Sequence, residues 1–182
     1  MRKFVAIFAL LPVLVLAQTA ATPKKGTAKA GGPAAVVVTP DKLQWGPAPP
    51  IFPTGAQFAV VAGDPGKPGT FIIRLKVPDG YRIMPHWHPT PESITVLSGE
   101  FRVGMGNKFD ESALTALPAH SVAVVPAHHN HYAMAKGETE VQVSTMGPFK
   151  LVYVNPADDP THAQGGAPKK TGTAPKKNGA KK

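Results

Sequence analysis

Hydrophobic and polar residues alternate along the middle of the chain with the period of a β-strand. In the segment TFIIRLKV (70–77), four apolar side chains fall on one face, while Arg74 and Lys76 fall on the other. This alternation is typical of a strand that has one face in a core and the other towards solvent.

Similar short runs recur over the same region, separated by Gly, Pro and Asn turn signals. They are FAVVAG, ESITVLSG, EFRVGM, SVAVVP, HYAM, TEVQVSTM and PFKLVYV, with KLQW as a further candidate before them. Only DESALTAL (110–117) has a helical pattern, which is about two turns long. Short strands with one minor helix predict an all-β fold, either a closed barrel or a double-sheet antiparallel barrel.

The start of the chain has the pattern of a secretory signal. Two basic residues precede an apolar run over 4–16, and small residues follow it. A membrane anchor is the alternative, but the run is shorter than the ~20 residues that span a bilayer. We therefore predict a signal peptide over 1–17, cleaved after Ala17 or alternatively after Ala21, and a periplasmic or secreted protein.

The formal net charge of +9 belongs to the two ends of the chain. Residues 41–160 contain 9 Lys or Arg and 11 Asp or Glu, which is a net charge of −2. The segments 18–40 and 161–182 are rich in Pro, Ala and Lys and cannot bury enough apolar surface to repay the entropy of ordering. We therefore predict one barrel domain over 41–160 between two disordered segments.

The lysines of these ends have two interpretations. They solubilise the protein, or they make weak electrostatic contact with an anionic surface such as lipid headgroups. No aromatic residue is interleaved with them to stack on bases, so specific nucleic-acid binding is not expected.

The chain has no cysteine. Disulfides and a thiol nucleophile are therefore excluded, although a secretory signal implies an oxidising compartment. The sequence also lacks a serine-centred nucleophile motif and a glycine-rich phosphate loop. Stability must come from the hydrophobic core and, we expect, from a bound metal.

Histidines concentrate in two stretches, PHWHPTPE and PAHHNHY. His86 and His88 are two residues apart, so on a strand their side chains leave the same face and converge. The two prolines after them predict a stiff turn that brings Glu92 back beside the imidazoles. A third imidazole can come from His131 on the next strand pair. Neutral imidazoles and a carboxylate suit one divalent first-row metal ion, with open positions for water or substrate.

Fe, Mn, Zn, Ni and Cu all remain possible at such a site. Three neutral nitrogens and one carboxylate leave a net charge of about +1 around a dication, by simple counting. This charge favours an anionic or oxygen-rich ligand.

The segment GYRIMPHWHPTPESITVLSG (80–99) resembles the first motif of the cupin family, G(X)5HXH(X)3-4E(X)6G. Its fixed positions are all matched, by Gly80, His86, His88, Glu92 and Gly99. The resemblance covers roughly residues 40–156. It implies a cupin-type double-stranded β-helix, which is a small jelly-roll barrel with a metal inside.

The second cupin motif, G(X)5PXG(X)2H(X)3N, is matched in part. Pro126 and His131 are present, whereas His120, His128 and Ala135 stand where the motif has its two glycines and its asparagine. The resemblance therefore implies the metal ligands His86, His88, Glu92 and His131. His128 and His129 are rivals of His131, because their turn lacks its usual glycine. We favour His131, since it lies just past the turn at the start of a strand.

Three further residues have a structural interpretation beside a functional one. Trp87 lies between two ligands and either contacts substrate or, as we expect, points to the opposite face and packs there. Gln142 and Ser144 share one face of a late strand. They are either donors that orient a metal histidine or ordinary polar residues on the outer sheet surface.

A shared fold does not determine chemistry, and cupins include oxygenases and isomerases as well as members that only bind ligands or sense metal. With the predicted signal peptide, the first hypothesis is a secreted metal-dependent enzyme of the cupin type, oxygenase- or isomerase-like, that acts on a small oxygen-rich molecule. The alternative is a non-catalytic module whose metal stabilises the barrel and captures a small ligand. His129 is the one candidate for a general base beyond the ligands, and its alternative is an exposed loop residue. We expect a homodimer.

Overall fold

The computed structural model describes residues 35–163, and strands dominate this range. The strands are β1 (Gly46–Pro47), β2 (Gln57–Ala62), β3 (Gly69–Val77), β4 (Arg82–Trp87), β5 (Glu92–Met105), β6 (Thr115–Pro118), β7 (Val122–Val125), β8 (His131–Gly147) and β9 (Val152–Tyr153). Three 3-10 turns (Pro40–Lys42, Glu111–Ala113 and Pro156–Asp158) and one helical turn, α1 (Pro160–Ala163), accompany them. The predicted all-β fold is confirmed.

Strand β3 shows how the alternating pattern becomes a half-buried strand. Every second side chain from Phe71 to Val77 is buried, while Arg74 and Lys76 lie on the outer face. The same alternation in the second half of β8 buries Val141 and Val143. Inward side chains from facing strands together form the core.

The long strands β5 and β8 each contribute to two facing sheets. The first half of β5 pairs with β7 and with the second half of β8, which continues to β3 and β2. The second half of β5 pairs with β6 and with the first half of β8, which continues to β4 and β9. All pairings are antiparallel, and the two halves enclose a common interior. This is the predicted double-stranded β-helix.

Four of the predicted strands are in fact two. ESITVLSG and EFRVGM together form β5, and HYAM and TEVQVSTM together form β8, so the prediction of separate strands is wrong. Gly99 and Gly137 have positive φ, 76° and 72°, and bend the two chains without ending the strands. The register of β5 on β8 shifts between Val96 and Glu100, where the chain passes from one sheet to the other. The two glycines, which the sequence pattern marks as turn signals, therefore lie at bends inside continuous strands.

The prediction of a helix over 110–117 is also wrong. Only Glu111–Ala113 forms a tight 3-10 turn, and the Asp110 carboxylate accepts the backbone N–H of Ser112 at its start. Thr115–Pro118 then forms β6, because its backbone pairs with β5. Tertiary pairing here outweighs local helical propensity.

The two outermost strand predictions are corrected as well. KLQW forms no strand, since Lys42 ends the 3-10 turn and β1 begins only at Gly46. In PFKLVYV only Val152–Tyr153 is a strand. The predicted signal peptide (1–17) and most of the segments 18–40 and 161–182 lie outside the described residues. Within 35–163, no helix has the length and apolarity to cross a membrane.

Candidate metal centre

The structure brings the four predicted metal ligands together inside the barrel. His86 lies near the end of β4 and His88 directly follows that strand, while Glu92 and His131 are the first residues of β5 and β8. All four are buried, with at most 7% of any of them exposed. Buried charged and polar groups of this kind require partners or a metal.

The side chains approach one another as ligands of one ion do. The Oε2 atom of Glu92 lies 3.3 Å from Nε2 of His131 and 3.6 Å from Nε2 of His88. The ligand nitrogens of the three histidines lie within 4.8 Å of one another. Two ligands bound at ~2.1 Å to one metal, at an angle of ~90–110°, would be about 3.0–3.4 Å apart.

Backbone carbonyls set the tautomer of every histidine in the cluster. Nδ1 of His86 donates to the carbonyl of Met84 (2.7 Å), and Nδ1 of His131 donates to that of His129 (2.9 Å). Nδ1 of His88 donates to the carbonyl of Lys150 (2.6 Å). A carbonyl oxygen only accepts, so in each neutral ring Nδ1 holds the proton and Nε2 keeps its lone pair. Metal-binding histidines are oriented in this way.

The remaining nitrogens indicate that a metal fits this site. Nε2 of His88 and Nε2 of His131 are buried and have no hydrogen-bond partner among residues 35–163. A buried acceptor without a partner costs about 1–3 kcal/mol. A cation placed among these lone pairs and the Glu92 carboxylate would remove that cost.

The electrostatics of the site keep the ligands in their metal-binding forms. Burial, with the imidazoles of His131 and His88 nearby, lowers the pKa of His86 to about 3, so it is neutral near pH 7. Burial alone would raise the pKa of Glu92, but the adjacent imidazoles of His131 and His88 lower it below its usual value.

The predicted turn between the histidines and Glu92 is held by threonine hydroxyls. Thr90 donates to the carbonyl of Met146 (3.0 Å) and lies 2.9 Å from the hydroxyl of Thr145, which donates to the carbonyl of Pro91 (2.7 Å). These contacts tie the proline turn to the end of β8. Glu92 is therefore returned to the imidazoles by a turn with fixed ends.

His128 and His129, the rivals of His131, are exposed and do not line the site. They lie in a surface pocket with Met105 and Asn130, so His129 is not positioned as a general base for the metal centre. The ring of His128 packs on Trp87, with centroids 4.9 Å apart, and Trp87 does not line the site either.

Gln142 and Ser144 lie on the outer face of β8. Gln142 accepts a hydrogen bond from Nε of Arg74 (3.2 Å), and Ser144 is opposite Ile72 in the register. Since backbone carbonyls already occupy Nδ1 of each metal histidine, neither residue orients a ligand. Of the two interpretations, the outer-surface one is correct.

A small cavity of about 30 Å³ adjoins the cluster. Apart from the four ligands, the side chains around it are apolar: Phe52, Ile73, Leu75, Ile83, Ile94, Phe101, Ala133, Val141, Val143, Phe149 and Leu151. Its volume suffices for about one or two water molecules. The cavity is therefore narrow, and the described residues place no acid or base in it beyond the four ligands.

Sequence reasoning missed two features of this site. The Lys150 carbonyl, which orients His88, has no sequence signal, because any residue supplies a carbonyl. The apolar lining had a signal, since Ile73, Leu75, Val141 and Val143 occupy the inward positions of alternating strands.

Comparison with known proteins agrees with the fold and the cluster. Residues 33–150 match the ChrR cupin-like domain family. The polyketide cyclase RemF from Streptomyces resistomycificus is 13% identical, with a TM-score of 0.59 over 72% of this chain and 94% of that one. A putative acetylacetone dioxygenase from Methylibium petroleiphilum PM1 is 22% identical, with a TM-score of 0.57 over 74% and 94%.

No curated protein matches the chain. The family match spans more than half of the 182 residues and includes all four clustered side chains. The structural matches show the same barrel independently of sequence identity. The chain therefore belongs to the cupin superfamily, within the family of ChrR cupin-like domains.

Proposed function

We propose that this protein is a metal-dependent enzyme that binds one divalent ion through His86, His88, Glu92 and His131. Its substrate is a small, oxygen-rich organic molecule, and its chemistry is oxygenase- or isomerase-like. The observation that carries the proposal is that Nε2 of His88 and of His131, which have no partner among residues 35–163, lie at ligand spacing beside a buried carboxylate. When bound, the ion supplies Lewis acidity or oxygen activation.

The apolar lining of the cavity favours an oxygenase-like reaction over an isomerase-like one. An isomerase moves a proton and needs a positioned acid or base. No titratable side chain other than the four ligands lines the cavity within the described part of the chain. A narrow apolar cavity instead suits a small apolar co-substrate such as dioxygen. The two structural neighbours, a polyketide cyclase and a putative dioxygenase, show that this barrel supports enzymes.

A non-catalytic binding or sensing module is the second candidate, and the same cavity supports it. With room for about one or two waters, the cavity admits little beyond the ion and a small ligand. In this case the ion would stabilise the barrel, because binding to the folded state alone adds stability by mass action.

The test uses untagged full-length protein, its metal content, and oxygen uptake with a panel of β-diketones, catechols and small organic acids. Glu92→Gln separates the two candidates, because it keeps the size of the side chain and removes its charge. For an enzyme, turnover should fall further than metal occupancy falls, since the charge tunes the ion. For a binding module, ligand affinity should follow occupancy. Wild-type protein that takes up no divalent metal would refute both.

We also propose that the protein is periplasmic or secreted, on the strength of the apolar run over 4–16 and the small residues after it. The mature chain should then begin at Gln18. Fractionation with N-terminal sequencing tests this, and an intact Met1 in the cytoplasmic or membrane fraction would contradict it.

A further inference from the structure

One side chain of the metal cavity also reaches solvent. Fifteen residues line the cavity, and all of them except Phe149 are buried. Phe149 is partly exposed and lies in the loop 148–151, between β8 and β9. Among the described residues, Phe149 is therefore the part of the cavity wall that is also partly exposed.

The ring packs directly against the metal centre. Its centroid is 5.3 Å from that of the His88 imidazole. It stacks on Phe52 at 6.0 Å, nearly parallel, and meets Phe71 edge to face at 5.8 Å. Both of these partners are buried. A molecule that approaches the ion from this side therefore meets Phe149 first.

The backbone beside this ring is fixed by hydrogen bonds, whereas Phe149 itself is only partly buried. The Phe149 N–H donates to the carbonyl of Pro65 (2.7 Å), and the next carbonyl, that of Lys150, accepts from His88 (2.6 Å). Opening by loop movement would break the hydrogen bond that orients a ligand. Opening by rotation of the Phe149 side chain would leave it intact.

We propose that Phe149 is the specificity-determining residue of the metal centre. With its ring in place, ligands of up to about three heavy atoms reach the ion, since a cavity this small holds about one or two waters. Larger oxygen ligands, such as catechols, enter only as the ring turns away. An apolar cavity of ~150 Å³ accommodates benzene. Removing the Phe149 ring would create a space of this order. The inference rests on the proposed function, because it requires a metal at the site.

The first test follows ligand binding to cobalt(II)-loaded full-length protein by its visible spectrum, with azide as the small probe and catechol as the large one. Phe149→Ala should raise the affinity for catechol about tenfold or more and leave that for azide within about twofold. Phe149→Leu, a milder change, should give an intermediate effect. The control is Phe109→Ala, since Phe109 is also partly buried but packs on Tyr132, away from the cavity. Unchanged catechol binding in both Phe149 variants, with azide still bound, would overturn the proposal.

The second test does not depend on metal, so it separates a failure of the proposed function from a failure of this inference. Diethyl pyrocarbonate modifies accessible imidazole nitrogens, and mass spectrometry locates the products. In metal-free full-length protein, His88 and His131 should react more slowly than the exposed His120, His128 and His129. Phe149→Ala should accelerate the two buried sites several-fold relative to these internal references. Equal rates in wild type, Phe149→Ala and Phe109→Ala would refute the role of Phe149.

Discussion

At the scale of single residues, four positions of the cupin motifs share one backbone conformation. Gly80 and Gly99 have φ of 70° and 76°, and His120 and His128 have φ of 72° and 60°. This left-handed region costs a residue with a Cβ roughly 1–2 kcal/mol. The two histidines therefore adopt the left-handed conformation at glycine positions of the second motif, and their two turns are kept at a cost in strain.

Replacing these histidines should reveal the strain. At positions 120 and 128, the Gly variant should be more stable than the Ala variant, with a free energy of unfolding about 1 kcal/mol larger. The reason is that alanine, unlike glycine, pays a conformational cost in the left-handed region. At His129, an exposed neighbour outside this conformation, Ala should equal or exceed Gly. Urea denaturation measures all six variants. The same Ala-to-Gly order at all three positions would contradict the interpretation.

At the scale of elements, the bend in β5 and β8 creates the metal centre. Glu92 begins β5 and His131 begins β8, and because the strands are antiparallel these residues lie at opposite ends of the pair. They are nevertheless 3.3 Å apart, since the two halves of the pair face each other across the interior. The bend at Gly99 is therefore as necessary to the site as the ligands.

Gly99→Ala should damage both stability and metal binding. A Cβ at this position would overlap the Glu138 carbonyl and Thr139, whereas a Cβ at Gly80 would meet no atom of the described residues within 4 Å. We expect Gly99→Ala to cost about 3 kcal/mol or more, from left-handed strain and overpacking together, and to weaken metal affinity. Gly80→Ala should cost only ~1–2 kcal/mol, from strain alone. Denaturation and metal titration of both variants check this, and equal losses would show that crowding at the bend is unimportant.

At the scale of the whole molecule, burial of neutral histidine links stability to pH. Burial and the neighbouring imidazoles lower the pKa of His86 from 6.5 to about 3, so between these pH values the unfolded chain binds a proton that the folded chain does not. The free energy of unfolding must then decrease as the pH falls below about 6.5. Glu92, whose pKa is lowered from 4.5, adds to the loss only below that value.

We expect metal-free full-length protein to lose up to about 1.4 kcal/mol per pH unit through His86 between pH 6 and 4.5. His86→Gln removes this titration and should reduce the slope by the same amount. His129→Gln, at an exposed histidine, should leave it unchanged. Urea denaturation at several pH values provides the measurement, and a His86→Gln slope equal to that of wild type would contradict the assignment.

The sequence by itself determined the features that depend on local spacing. His86, His88 and Glu92 lie within seven consecutive residues, so strand alternation and a proline turn suffice to place them together. The alternating runs likewise indicated an all-β barrel, because a face buried against another sheet imposes a period of two on any strand. The choice of His131 over His128 and His129 followed from the pattern of the cupin motif, and the structure brings His131 to the cluster.

Only the tertiary structure decided what depends on residues far apart in the chain. DESALTAL has a helical pattern, but pairing with β5 makes its second half a strand, and local propensity contains no information about that partner. The sequence pattern marks the glycines at the bends of β5 and β8 as turns, and only pairing of each strand with both sheets makes them bends within one strand. The tautomer of His88 depends on the Lys150 carbonyl, and its ring packs against Phe149, each some sixty positions away. Cavity volume and hydrogen-bond geometry arise from packing between distant segments, and no local pattern encodes them.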